Sequence, residues 1–124
     1  MTRTLKGLCQ RVRCDARMTD KPMPEGFDPH GYTWSVTLRY KGRQLTVPFY
    51  TGSLAGEPDA EGVLDCLLSD TSSGELDFES FCSELGYDAD SRKAERTWKA
   101  CQTMAPRVRR FLGDDFETFL HAKR

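Results

Sequence analysis

Between Thr51 and Ser91 the chain has no lysine or arginine at all, and in 124 residues it has only two histidines. No apolar run approaches the roughly 20 residues that a membrane helix needs. Glycine (ten) and proline (six) are too few for a linker or fibre, and 38% hydrophobic content is too high for disorder. The first residues, Met1-Thr-Arg-Thr-Leu-Lys-Gly, interrupt each apolar position with polar ones, so no secretory signal is expected. Five cysteines, an odd number, point to free thiols in a reducing compartment, read as the cytoplasm. There is no glycine-rich phosphate loop, no GxSxG and no HExxH. The chain is therefore expected to be no enzyme and to use no cofactor.

What is present is charge in blocks. The total is near zero, −1 with histidines neutral, but residues 1–50 carry nine Lys/Arg against four Asp/Glu. Residues 51–91 carry eleven acids: Glu57, Asp59, Glu61, Asp65, Asp70, Glu75, Asp77, Glu79, Glu84, Asp88 and Asp90. Residues 92–110 reverse the sign again, with seven bases (Arg92, Lys93, Arg96, Lys99, Arg107, Arg109, Arg110) against Glu95. Such alternation is what a function has to use or a fold has to neutralise.

Tyr32 to Tyr50, YTWSVTLRYKGRQLTVPFY, reads as a hairpin turning at Lys41-Gly42. Tyr40 then faces Arg43, Leu38 faces Leu45, Val36 faces Val47 and Trp34 faces Phe49, all on one face by the period of two. The other face carries Thr33, Ser35, Thr37, Arg39, Gln44, Thr46, Pro48 and Tyr50. Pro48 cannot donate to a further neighbour, so 43–50 is expected at the edge and 32–40 in the middle. The third strand is read at 8–18, where Leu8, Val12, Cys14, Ala16 and Met18 share one parity and Arg11, Arg13 and Arg17 the other. KPMPEGFDPHG between them, with three Pro and two Gly, reads as a loop.

After Gly52 the period becomes helical. Pro58-Asp59 opens a helix with Val63, Leu64, Leu67 and Leu68 on its stripe, ended by Ser72-Ser73-Gly74. Asp77 caps a short helix carrying Phe78, Phe81, Cys82 and Leu85 inside, stopped by Gly86. Ser91 or Asp90 caps a long helix over about 91–112, which Pro106 should kink or divide and Gly113 close. Asp114-Asp115 starts a last one. The expectation is one α+β domain over 1–124, with the sheet at about 5–52 and the helical part at about 57–122. A three-stranded antiparallel meander would be followed by three or four helices packed on one sheet face.

Specific chemistry is thin. Cys9 and Cys14 lack the gap of a zinc knuckle and fall on opposite parities, and Cys66, Cys82 and Cys101 fall on apolar helical stripes, so all read as small core residues rather than metal ligands. His30 and His121 read as surface residues. Asp88/Asp90 and Asp114/Asp115 each precede a helix, where acids stabilise the first turn. No metal site is expected.

Two charged surfaces remain. One is an acidic face of Glu57, Asp59, Glu61, Asp65, Glu75, Asp77, Glu79 and Glu84, which would offer carboxylates to a basic groove as nucleic-acid phosphates do. The other is a basic sheet face of Arg11, Arg13, Arg17 and Arg39 with Lys41 and Arg43 at the turn, together with Arg92, Lys93, Arg96 and Lys99, which would bind nucleic acid directly.

GYTWSVTLRYKGRQLTVPFYTG, followed by LDFESFCSELGYDADSRKAERTWKAC and RRFLG, resembles small accessory proteins encoded in phages and prophages of GC-rich bacteria. The resemblance spans about residues 31–120 and carries no functional residue across. It implies a class that includes proteins disarming host defence, anti-CRISPR proteins among them, several of which occupy a DNA-binding groove with an acidic surface. The leading expectation is thus a phage-derived inhibitor that binds a protein partner, a CRISPR effector or other defence nuclease subunit, and blocks it by bulk and charge. The alternative is a small nucleic-acid-binding or regulatory module on the basic face. Neither needs a membrane.

Overall fold

Lys41 and Gly42 both take positive φ, 49° and 78°, the pair of values that a two-residue turn needs to match the right-handed twist of its strands. The hairpin they close joins β2 (Tyr32–Tyr40) to β3 (Arg43–Thr51) in the expected register, with Tyr40 opposite Arg43, Leu38 opposite Leu45, Val36 opposite Val47 and Trp34 opposite Phe49. β1 (Arg13–Thr19) runs antiparallel on the far side of β2, giving the order β1-β2-β3 with Pro48 on the edge strand. Val36, Leu38, Leu45 and Val47 are almost fully buried. Nothing lies within 4 Å of a Cβ built at Gly42, so Gly42→Ala meets no clash and costs only its backbone strain. A loss of about 1 kcal/mol is expected in chemical denaturation.

The computed structural model describes residues 4–23 and 27–123. Met1–Arg3, at the start of the segment read for a signal, and residues 24–26 of the loop between β1 and β2 lie outside the described residues. The chain falls into two compact units, 1–64 and 65–124.

In the first unit the strand expected over 8–18 begins only at Arg13. Leu5–Cys9 instead forms a one-turn helix, α1, because the hydroxyl of Thr4 accepts from the Gly7 amide at 3.0 Å and Leu5 and Cys9, one turn apart, are both buried. Leu8 and Cys9 are therefore not sheet residues. Thr33 also departs from expectation. It is buried although its parity places it on the polar face, and its hydroxyl donates to Lys21 O at 2.8 Å.

α2 (Ala60–Gly74) begins in the first unit and ends in the second. Asp59 opens it by accepting from the Gly62 amide at 2.8 Å. Ser72 and Ser73, expected beyond its end, are its last turn. Cys66 is exposed, a correction to its core assignment: Val63, Leu64, Leu67 and Leu68 form the buried stripe, and Cys66 lies well around the helix from it.

In the second unit α3 (Phe78–Leu85) is capped by Asp77, whose carboxylate accepts from Ser80 N at 2.7 Å, and stops at Gly86 with φ 74°. Phe81 and Cys82 are buried, but Leu85 is half exposed and not in the core. α4 (Arg92–Leu112) is one continuous helix with Pro106 exposed inside it, so Pro106 does not divide it. Ser91 is its cap, accepting from Lys93 N and Ala94 N. A 3₁₀ turn at Gly113–Asp115 leads to α5 (Phe116–Lys123). Phe81, Phe119, Leu68, Leu112 and Val108 are fully buried, and Phe81 packs in a cluster with Cys82 and Ala94. Three strands and these helices make an α+β protein, and no described helix is long and apolar enough to cross a membrane.

Candidate functional site

Arg13 and Arg39 are direct cross-strand partners on β1 and β2, and both are exposed. Residues so placed on one face have Cβ atoms about 5 Å apart, and like charges there are destabilising. Arg11 joins them from the turn before β1. Burial of Val12, and bonds from Arg11 N to Leu8 O and Val12 N to Cys9 O, hold that turn against α1. The hairpin turn adds Lys41 and Arg43, and together with Gln44 these residues line an open cleft of about 330 Å³ at the tip of the sheet. Arg11, Arg13 and Arg39 make no salt bridge among the described residues. Lys41 sits 5.4 Å from the centre of the Tyr40 ring. Arg17 shares the face further along β1, opposite Ser35, and Asp15 between Arg13 and Arg17 is the strand's one acid. The cleft can hold an anion by several guanidinium groups at once.

The remaining bases of this set, Arg92, Lys93, Arg96 and Lys99, belong to α4 in the second unit. Lys99 is paired with Glu95 at 3.0 Å, one turn away.

The eight acids divide between the units, with Glu57, Asp59 and Glu61 in the first and Asp65, Glu75, Asp77, Glu79 and Glu84 in the second. Four already have structural partners. Asp59 and Asp77 cap helices, and the Ser80 amide holds the Asp77 carboxyl below the usual carboxylate range. Asp65 pairs with Lys123 at 3.4 Å, and Glu75 with Arg109, whose guanidinium also lies over the Phe116 ring. Glu57, Glu61, Glu79 and Glu84 are exposed and make no ion pair among the described residues.

The thiols are poor nucleophiles. Burial pushes Cys9 up to about 11, with Glu61 and Asp59 adding to it, and burial beside Asp70 does the same for Cys101. Among the described residues no group of three His, Cys, Asp or Glu could hold a metal ion.

Sequence reasoning missed Phe27. Its ring lies 5.4 Å from Tyr50 on the polar face of the sheet. Periodicity carries no signal for it, because its placement depends on Asp28, which accepts from His30 N at 2.9 Å and Ser53 N at 3.0 Å and so ties the loop to the end of β3. Those two amides lower the Asp28 carboxyl. The FDPHG phrase shows the turn but not its contact.

No family model, curated protein or solved structure matches the chain.

Proposed function

We propose that this protein is a non-catalytic binding module that holds nucleic acid by its phosphates at the basic tip of the sheet. The observation that supports it is Arg13 placed opposite Arg39, with Arg11 beside them and, among the described residues, no salt bridge on any of the three. A fold gains nothing from that pairing, whereas a phosphate between the guanidinium groups turns repulsion into two charge-assisted contacts. A net charge of −1 is no obstacle, since binding follows the local patch rather than the total.

Four exposed carboxylates that make no ion pair among the described residues, Glu57, Glu61, Glu79 and Glu84, favour a second function. With the phage-protein resemblance they support an inhibitor that offers acids to the DNA-binding groove of a CRISPR effector or other defence nuclease in the bacterial cytoplasm. The basic tip is preferred because its charges converge on one cleft, while half of the acidic set is already occupied by capping and pairing.

Mobility shift with single- and double-stranded DNA and RNA at low salt separates the two. The nucleic-acid module gives retarded complexes that dissolve as salt rises. No shift with any probe, together with salt-sensitive recovery of a nuclease subunit from bacterial lysate, would reject it in favour of the inhibitor.

A further inference from the structure

The face that carries the arginines continues past them. From the Arg39–Gln44 pair to the Thr33–Tyr50 pair β2 advances six residues, about 20 Å of strand. Over that distance the charged tip gives way to hydroxyls and rings. A second cleft, of about 500 Å³, is lined there by Thr19, Lys21, Ser35, Thr46, Pro48 and Tyr50 among others.

Phe27 and Tyr50 stand at this end as a tilted pair, planes 53° apart. Their contact covers only part of each ring: Phe27 remains 52% exposed and Tyr50 38%. The tie from Ser53 N to Asp28, the residue after Phe27, anchors the chain beside this ring, so the pair is positioned rather than trailing in water. Exposed rings and a cationic cleft on one sheet face are the two components with which proteins hold unpaired nucleic acid. Rings stack bases whatever their identity, and arginines hold the backbone. A duplex can bring phosphates to the arginines, but its bases are already stacked on each other and cannot reach a ring on a sheet surface.

Resting on the nucleic-acid reading above, we propose that the ligand is a single strand laid along the sheet. Its phosphates sit at Arg11, Arg13 and Arg39, and a base stacks on the Phe27–Tyr50 pair. Ser35 and Thr46 hydroxyls lie between these ends, and Lys21 meets the backbone beyond them.

The test is fluorescence anisotropy with a short labelled thymidine oligonucleotide and, separately, a mixed-sequence duplex of equal length. Wild type is compared with Phe27→Ala and with Tyr50→Leu, which keeps an apolar side chain on β3. The single strand should bind roughly tenfold or more tightly than the duplex, and each ring substitution should weaken the single strand by roughly tenfold and leave the duplex unchanged. Equal binding of both probes by wild type, unaffected by either substitution, overturns the stacking proposal and leaves the basic-tip reading standing. Failure of wild type to bind either probe at low salt overturns both. Circular dichroism of each variant shows that a lost affinity is not a lost fold.

Discussion

Replacing Arg11, Arg13 and Arg39 together by glutamine will weaken binding of a single strand about a hundredfold at about 0.1 M salt, and will not lower the melting temperature. Each phosphate contact on a single strand contributes about 0.7 to the slope of log K against log salt. Three contacts therefore account for about two decades of affinity at one decade below 1 M. Stability moves the other way. Arg13 opposes Arg39 directly, and relieving a like-charge cross-strand pair gains a few tenths of a kcal/mol. A surface that improves the fold when removed yet weakens binding separates a functional role from a structural one. A loss below about threefold, or a clear fall in melting temperature, would contradict the assignment.

Gly74→Ala will be the most damaging small substitution in the helical unit. A Cβ built at Gly74 lies 2.4 Å from Cys101 O, 2.5 Å from Cys101 C and 2.7 Å from Gln102 N. All three are backbone atoms of α4, so no side chain can swing aside and the two helices must part. Cys101, at the point of approach, is buried, so parting the helices opens it to water. Overpacking typically costs 1–3 kcal/mol, and a backbone obstacle belongs at or above the top of that range, about 3 kcal/mol. Thermal unfolding should shift down by about 10 °C or more. A shift of only a degree or two would mean that α2 and α4 do not approach this closely.

Neither prediction draws equally on the sequence. The hairpin and its register were legible because strict alternation on both sides of Lys41-Gly42 leaves one pairing that buries Val36, Leu38, Leu45 and Val47 together. Asp77, Ser91, Gly86 and Gly113 announced helix ends because capping is local chemistry within three or four residues. α1 was not legible. In so short a segment Leu5 and Cys9 satisfy a helical spacing and also share a strand parity, and the Thr4 hydroxyl decides between them. Leu85 has the correct spacing for the core of α3 yet remains outside it, since what covers a helix face is a tertiary matter.

The charged surfaces show the same division. Exposure of Arg13, Arg17 and Arg39 followed from parity alone. Which acids were already occupied did not: Asp65 and Lys123 are 58 residues apart in sequence, and Glu75 and Arg109 are 34 apart. Only the folded chain brings them together. Phe27 and the Gly74–Cys101 approach are likewise long-range contacts with no local signature.

The most direct measurement is the salt dependence of single-strand affinity for wild type and for the Arg11/Arg13/Arg39 glutamine variant, between about 50 and 200 mM. Wild type should show log K falling against log salt with a slope of about −2 or steeper, and the variant should be shallower by about 2. Parallel lines for the two proteins, or a wild type that does not bind at the lowest salt, would contradict a nucleic-acid site at the tip of the sheet.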